Sequence, residues 1–215
     1  MNPFPLVLSS PSGGGKTTIT RMLRERRPDV GYSISCTTRE PRGQEVHGKD
    51  YFFLSRREFE ARRAHGDFAE SAVVHGNLYG TLRSEVTRVL SSGQHVVMDI
   101  DVQGARQFAN AFPEAVLIFL LPPSVDTLLT RLADRRTEAQ DAFLVRVRGA
   151  RQELMAVNSY QYVVVNDDLE RAYGLVSAIL EAESVRHARM PLLDARVKDL
   201  ITDLDREIVT LTYSA

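Results

Sequence analysis

The sequence predicts an α/β fold: a parallel five-stranded sheet flanked by helices, with a small β-rich insertion and a helical arm. Three observations carry this. Short apolar runs rich in β-branched residues read as buried strands, each too short for a buried helix. Helical stretches fall between them, the alternation that builds a parallel sheet with its sites at the carboxyl ends of the strands. A glycine-rich loop, Ser10 to Gly15, joins the first run to the first helix.

The elements follow in order. The first strand is "PLVLSS" (5–10), and the helix over 16–27 brings Ile19, Met22 and Leu23 near one face. "GYSISC" (31–36) is a weaker strand. Segment 36–81 then breaks the rhythm: it is polar, rich in Arg, Tyr and Gly, and holds alternating pieces such as "DYFFL" and "DFAESAVV", so it reads as an inserted β-rich unit. A helix over 82–91, strand "HVVMDI" (95–100), helix 102–111 and strand "AVLIFLL" (115–121) resume the pattern. An Arg-rich helical region (124–155), strand "YVVV" (162–165) and helix 169–188, with Leu175, Val176 and Ile179 at helical spacing, complete it. Past Met190 the chain restarts at Pro191, and Leu193, Val197, Leu200, Leu204 and Ile208 recur at spacings of three and four, which is one amphipathic helix over 191–211. Packing on the chain's own body and a subunit contact both fit this helix, so a homo-oligomer through it is one of two expectations.

A chain of 215 residues suits one domain with a small mobile insert, and it can bury a proper core. The net charge of −1 provides no global field toward nucleic acid or acidic membranes, so neither is an expected partner and any phosphate must be held by local basic groups. A single cysteine, Cys36, excludes an internal disulfide and a cysteine metal cluster. "MNPFPLVLSS" lacks the charged lead and long apolar core of a signal peptide, and "AVLIFLL" falls well short of the roughly 18 residues that cross a bilayer. A soluble cytoplasmic protein is expected.

The loop "SPSGGGKTT" is read as a phosphate cradle although its first position is Ser10 where the pattern G-x-x-x-x-G-K-[ST] wants glycine. Pro11 and Ser12 follow; Gly13, Gly14 and Gly15 let backbone N–H groups converge on an anion at a helix N-terminus. Lys16 is placed to reach the β- and γ-phosphates and Thr17 to offer its hydroxyl to Mg²⁺. "HVVMDID" ends a strand in Asp99, with Asp101 two residues on, where a carboxylate organises Mg²⁺ and its waters. A nucleoside triphosphate with magnesium is thereby expected, which GTPases, ATPases and kinases share. The second substrate is sought in "SCTTREPRGQEVHGKDYFF" and "DFAESAVVHGNLYGT". Arg39 and Arg42 with Tyr51 and Tyr79 suit an oriented phosphate, though such a pair fits a solvated surface as well. Glu70 is placed to accept two parallel hydrogen bonds from guanine, a donor pair adenine does not present, but one glutamate says little alone.

Taken together, "SPSGGGKTT", "SISCTTREPRGQEVHGKDYFF", "FAESAVVHGNLYGT", "MDIDVQG" and "VVVNDDL" resemble guanylate kinase in this order, from about Phe4 to Arg186. The resemblance implies phosphorylation of GMP, and dGMP, by ATP with Mg²⁺. It implies a P-loop kinase domain over 4–188, with its core at 4–34, 82–123 and 156–188, a GMP-binding unit at 35–81, a lid at 124–155, and a C-terminal extension at 189–215. It places Arg39, Arg42, Tyr51 and Tyr79 on the GMP phosphate and Ser35, Glu70, Thr81 and Asp101 around the guanine. Lys16 and residues Ser10 to Thr17 meet the ATP phosphates, Thr17 and Asp99 the metal, and Asn166 the donor nucleotide. Arg131, Arg135 and Arg146 align with lid arginines, with Lys16, Arg39, Arg135 and Arg146 expected to stabilise the transferring phosphoryl group. Ser10, Cys36 and Arg136 depart from what the family has most often. A degenerate, ligand-recognising domain of this type is a rival, but Lys16, Thr17, Asp99, Arg39 and Arg42 are all present. A GTPase is another, but no N-K-x-D loop occurs.

Overall fold

The structure is a computed structural model that describes residues 2–74, 76–133 and 140–213. In chain order the strands are β1 (Pro5–Ser9), β2 (Val30–Tyr32), β3 (Cys36–Thr37), β4 (Phe52–Phe53), β5 (Phe68–Val74), β6 (Asn77–Leu82), β7 (His95–Asp99), β8 (Val116–Leu121) and β9 (Tyr162–Val165). The helices are α1 (Lys16–Arg26), α2 (Arg56–His65), α3 (Arg83–Ser91), α4 (Val102–Ala111), α5 (Val125–Ala133), α6 (Gln140–Leu154), α7 (Leu169–Ser184) and α8 (Leu193–Tyr213). Two compact units separate: Pro3–Ala178, and Asn2 with the chain from Ile179 onward.

The first unit holds a five-stranded parallel sheet in the order β2-β7-β1-β8-β9. β1 is central and wholly buried, which its apolar sequence requires, since a parallel strand is covered on both faces. Val7, Val96, Met98, Ala105, Phe108 and Leu117 form a core between the sheet and α4. A second, mixed sheet in the order β4-β3-β6-β5 lies within the expected insertion. Its core is Cys36, Phe59, Phe68, Leu78 and Leu82. Burial pushes the Cys36 thiol up to about 12.

Two expectations need correction. "GYSISC" is not one strand: Val30–Tyr32 pairs with β7, while Cys36–Thr37 pairs with β4 and β6 of the other sheet. β2 lies at a sheet edge, so the chain can leave after three residues, and the Ile34 N–H passes to the Glu85 carboxylate at 3.4 Å. "YVVV" is an edge strand rather than a fully buried one, so Val164 is 3% exposed while Val163 and Val165 are 47% and 42% exposed. Within 124–155 there are two helices, α5 and α6, with 134–139 outside the described residues. The insertion also contains α2, which the polar pattern hid.

The second unit is dominated by α8, whose Val197, Leu200, Ile201, Leu204 and Ile208 are all exposed. Among the described residues no helix is long and apolar enough to cross a membrane.

Candidate functional site

The site forms where the parallel strands end. β1 runs into the loop Ser10–Gly15, and α1 starts at Lys16 with Gly15 capping it at φ 92°. Gly13 has φ 80°. Both values lie where only glycine is unstrained. Ser10 at the first position is tolerated for a visible reason: a Cβ on Gly14 would come within 2.4 Å of the Ser10 Oγ, so the missing side chain of one makes room for the hydroxyl of the other. That hydroxyl donates to the Pro11 carbonyl at 2.9 Å, and Lys16 Nζ reaches the Ser10 carbonyl at 3.1 Å. The loop, Lys16, Thr17 and Arg131 line a cavity of about 390 Å³, the size of a small polyanion.

The Thr17 hydroxyl donates to the Asp99 carboxylate at 2.7 Å, joining α1 to the end of β7. Two adjacent hard oxygens, exposed beside a phosphate cradle, fit Mg²⁺, which takes few protein ligands and keeps several waters. Among the described residues no group of three His, Cys, Asp or Glu forms a dedicated metal cage. Asp101 does not continue the face of β7: the strand stops at Asp99, and the Asp101 carboxylate caps α4 by accepting from the Gly104 N–H at 2.7 Å.

Glu70 lies beside that cap. It is 7% exposed and accepts from the Thr81 hydroxyl at 2.7 Å. A register shift in the β5–β6 pairing between Phe68 and Glu70 turns it, as bulges do. Gln107 of α4 then pins β5 in place through both the N–H and the carbonyl of Ser71, each at 3.1 Å. A Cβ on Gly104 would fall 3.0 Å from Glu70 Oε2 and 3.4 Å from Asp101 Oδ1, so this glycine keeps the space between the two carboxylates open. Burial raises the Glu70 carboxyl to about 7, with the Asp101 charge adding and the Thr81 hydroxyl opposing.

The arginine site is also assembled. Arg39 is 9% exposed and its fork meets both oxygens of Glu45 at 2.9 Å each, while its Nε donates to the Tyr79 hydroxyl at 3.2 Å. The Glu45 fork and the Tyr79 contact hold the Arg39 charge firmly, raising its pKa further. Tyr51 lies under the guanidinium, 5.4 Å from its ring centre. Arg42 contributes its backbone N–H to Glu45 at 2.7 Å and leaves its side chain exposed. Ser35 is half-buried, its carbonyl accepting from the Phe52 N–H at 2.9 Å. Glu45 was missed in the sequence, although an acid six residues after Arg39 was in plain view.

Around the loop, Asn166 is 3% exposed and donates through Nδ2 to the Gly14 carbonyl at 2.8 Å, supporting the cradle from behind. Arg131 donates to the Asn166 carbonyl at 3.3 Å. Among the described residues, Arg131 Nη1 and Arg146 Nη2 are buried with no hydrogen-bond partner. Arg135 lies outside the described residues. Glu153, whose carboxylate accepts the Ser12 N–H at 3.1 Å, belongs to no motif that reading the sequence could single out.

A family model described as guanylate kinase matches residues 2–183. A guanylate kinase from Rhizobium meliloti is 46% identical over 199 residues, covering 92% of this chain and 91% of that protein. One from Carboxydothermus hydrogenoformans is 42% identical, covering 86% and 91%. A crystal structure of guanylate kinase from Anaplasma phagocytophilum superposes with a TM-score of 0.69 at 35% identity, covering 87% of this chain and 89% of that one.

Proposed function

Because the chain belongs to the guanylate kinase family, we propose that it transfers the γ-phosphoryl group of ATP to GMP or dGMP, releasing ADP and GDP. The observation that carries the choice of acceptor is Glu70: a carboxylate buried on β5, fixed by the Thr81 hydroxyl and next to the space that Gly104 leaves open beside Asp101. Guanine supplies two adjacent donors to such a group; a purine without them leaves it unpaired at a cost of about 1–3 kcal/mol or more.

The chemistry asks for alignment and charge. An oxygen of the GMP phosphate attacks the γ-phosphorus in line, the bond to the ADP oxygen breaks, and the electron pair leaves with ADP. That phosphate oxygen is a nucleophile at neutral pH, so no general base is required. Arg39 and Arg42 with Tyr51 and Tyr79 hold the acceptor phosphate; Lys16, Arg131 and Arg146, with Arg135, offset the charge of the donor. Ser35, Thr81 and Asp101 complete the surroundings of the base. Thr17 and Asp99 are the residues that would hold Mg²⁺, which supplies charge neutralisation on the donor phosphates when bound. We assign 35–81 to acceptor binding and 124–155 to a lid that excludes water.

A coupled assay of ADP formation with GMP, dGMP, AMP and UMP, in the presence of Mg²⁺, tests the reading. GMP and dGMP are expected to give the highest kcat/KM; best turnover on AMP or UMP overturns it. The exposed apolar stripe of α8 suits self-association, so sedimentation should find an oligomer that Leu200→Asp with Leu204→Asp dissociates.

A further inference from the structure

One N–H of the phosphate loop, that of Ser12, already donates to an anion of the same chain. The Glu153 carboxylate, near the C-terminus of α6, accepts the Ser12 N–H at 3.1 Å across a sequence separation of 141 residues. Ser12 belongs to the wall of the cavity that also contains Lys16, Thr17 and Arg131. Residues 146 and 153 are seven apart, two helical turns, so Arg146 and Glu153 share a face of α6 with the buried Ala150 between them. That face therefore carries one cation with a buried, unbonded nitrogen and one anion seated on the loop.

Resting on the phosphoryl-transfer reading above, we infer that Glu153 is a resident counter-ion of the donor site: it occupies the loop when no nucleotide is bound, and the incoming triphosphate must displace it. A loop whose N–H groups converge on an anion is an arrangement that favours some anion at all times. Glu153 meets that demand at a cost. Burial raises its carboxyl above the ordinary range, the Ser12 N–H and the Lys16 charge oppose the rise, and the Asp101 charge adds to it. A group held against its own desolvation gives way to a ligand with more charge and more acceptors. The contact also ties α6, which carries Arg146, to the loop, so donor binding and the setting of Arg146 are linked through one side chain.

The test uses the full chain. Pyrophosphate and ADP are titrated by calorimetry into the wild type, Glu153→Gln and Glu153→Asp, and KM for ATP and for GMP is measured on each. Removing the displaced charge, while leaving an amide oxygen that can still accept the Ser12 N–H, should tighten pyrophosphate and ADP about three- to tenfold in Glu153→Gln and lower KM for ATP in step, while KM for GMP moves less than about twofold. Glu153→Asp, which keeps the charge but shortens its reach, should fall between, and it covers the case in which glutamine disturbs the packing of α6. Weaker pyrophosphate and ADP binding in both variants would make Glu153 a donor ligand and overturn the inference. So would unchanged affinities accompanied only by a lower Tm, the mark of a structural role. The calorimetry needs no turnover, so a chain inactive on GMP would sink the functional reading and still report on Glu153.

Discussion

Glu70 concentrates the chemistry of recognition in one side chain, and its environment makes that chemistry depend on pH. Its carboxyl is raised from 4.5 to about 7, chiefly by burial. Two guanine N–H groups need the ionised form, so KM for GMP should fall as pH rises from 6 to 8 and level off above, while KM for ATP changes less over the same range. A flat GMP profile would mean that the carboxyl titrates elsewhere. The same shift has a sign for stability. A carboxyl whose folded value is raised contributes most below its unfolded pKa, and that contribution is lost as pH climbs through 7. Glu70→Gln should therefore gain on the wild type in thermal stability between pH 5 and 8, by on the order of 3 kcal/mol, although it reads guanine poorly. Gly104 sets the other limit. Its absent Cβ would stand 3.0 Å from Glu70 Oε2, so Gly104→Ala should raise KM for GMP about tenfold or more and leave KM for ATP nearly unchanged in steady-state assays. Lys16 was legible from its own loop motif, and Glu70 and Arg39 only from the succession of motifs that resembles guanylate kinase. Gly104, Glu45 and Glu153 were not, because each matters through a neighbour that sequence spacing does not reveal.

Helix α2 is the element that the sequence carried in the open and that composition concealed. It is strongly polar, and only Phe59 is buried. Its start is nonetheless written in "SRRE": the Ser55 hydroxyl accepts from the Glu58 N–H while the Glu58 carboxylate takes the Ser55 N–H, a reciprocal cap. Phe59 then stacks on Phe68 at 4.3 Å and so fastens the helix to β5, the strand that carries Glu70. Ser55→Ala should lower stability by about 1 kcal/mol in urea unfolding, with KM for ATP unaltered. An unchanged midpoint would show that the helix is held by Phe59 alone. The strands of the main sheet were easier to find, because buried parallel strands are continuous apolar runs. Their ends were harder: β2 stops after Tyr32 and β9 alternates in exposure because both lie at edges, and an edge is a property of the assembled sheet.

At the scale of the molecule, the order β2-β7-β1-β8-β9 joins strands far apart in the chain, so it could not be read from local pattern, whereas the succession of motifs could. What that succession implied about chemistry rests on charges brought together from α1, β7, the insertion and the arm. The fold has one more consequence, in Cys36. Its side chain is 0% exposed, and burial lifts its thiol to about 12, so almost none of it is thiolate in the native state at pH 8. A maleimide should therefore modify the chain only through molecules that have transiently opened. GMP at a hundred times its Kd suppresses opening about a hundredfold, and the labelling rate should fall in proportion. The lone thiol thus makes the protein its own gauge of substrate affinity, read by mass increase without a single turnover; labelling within seconds in the absence of denaturant would show that the sheet around it breathes.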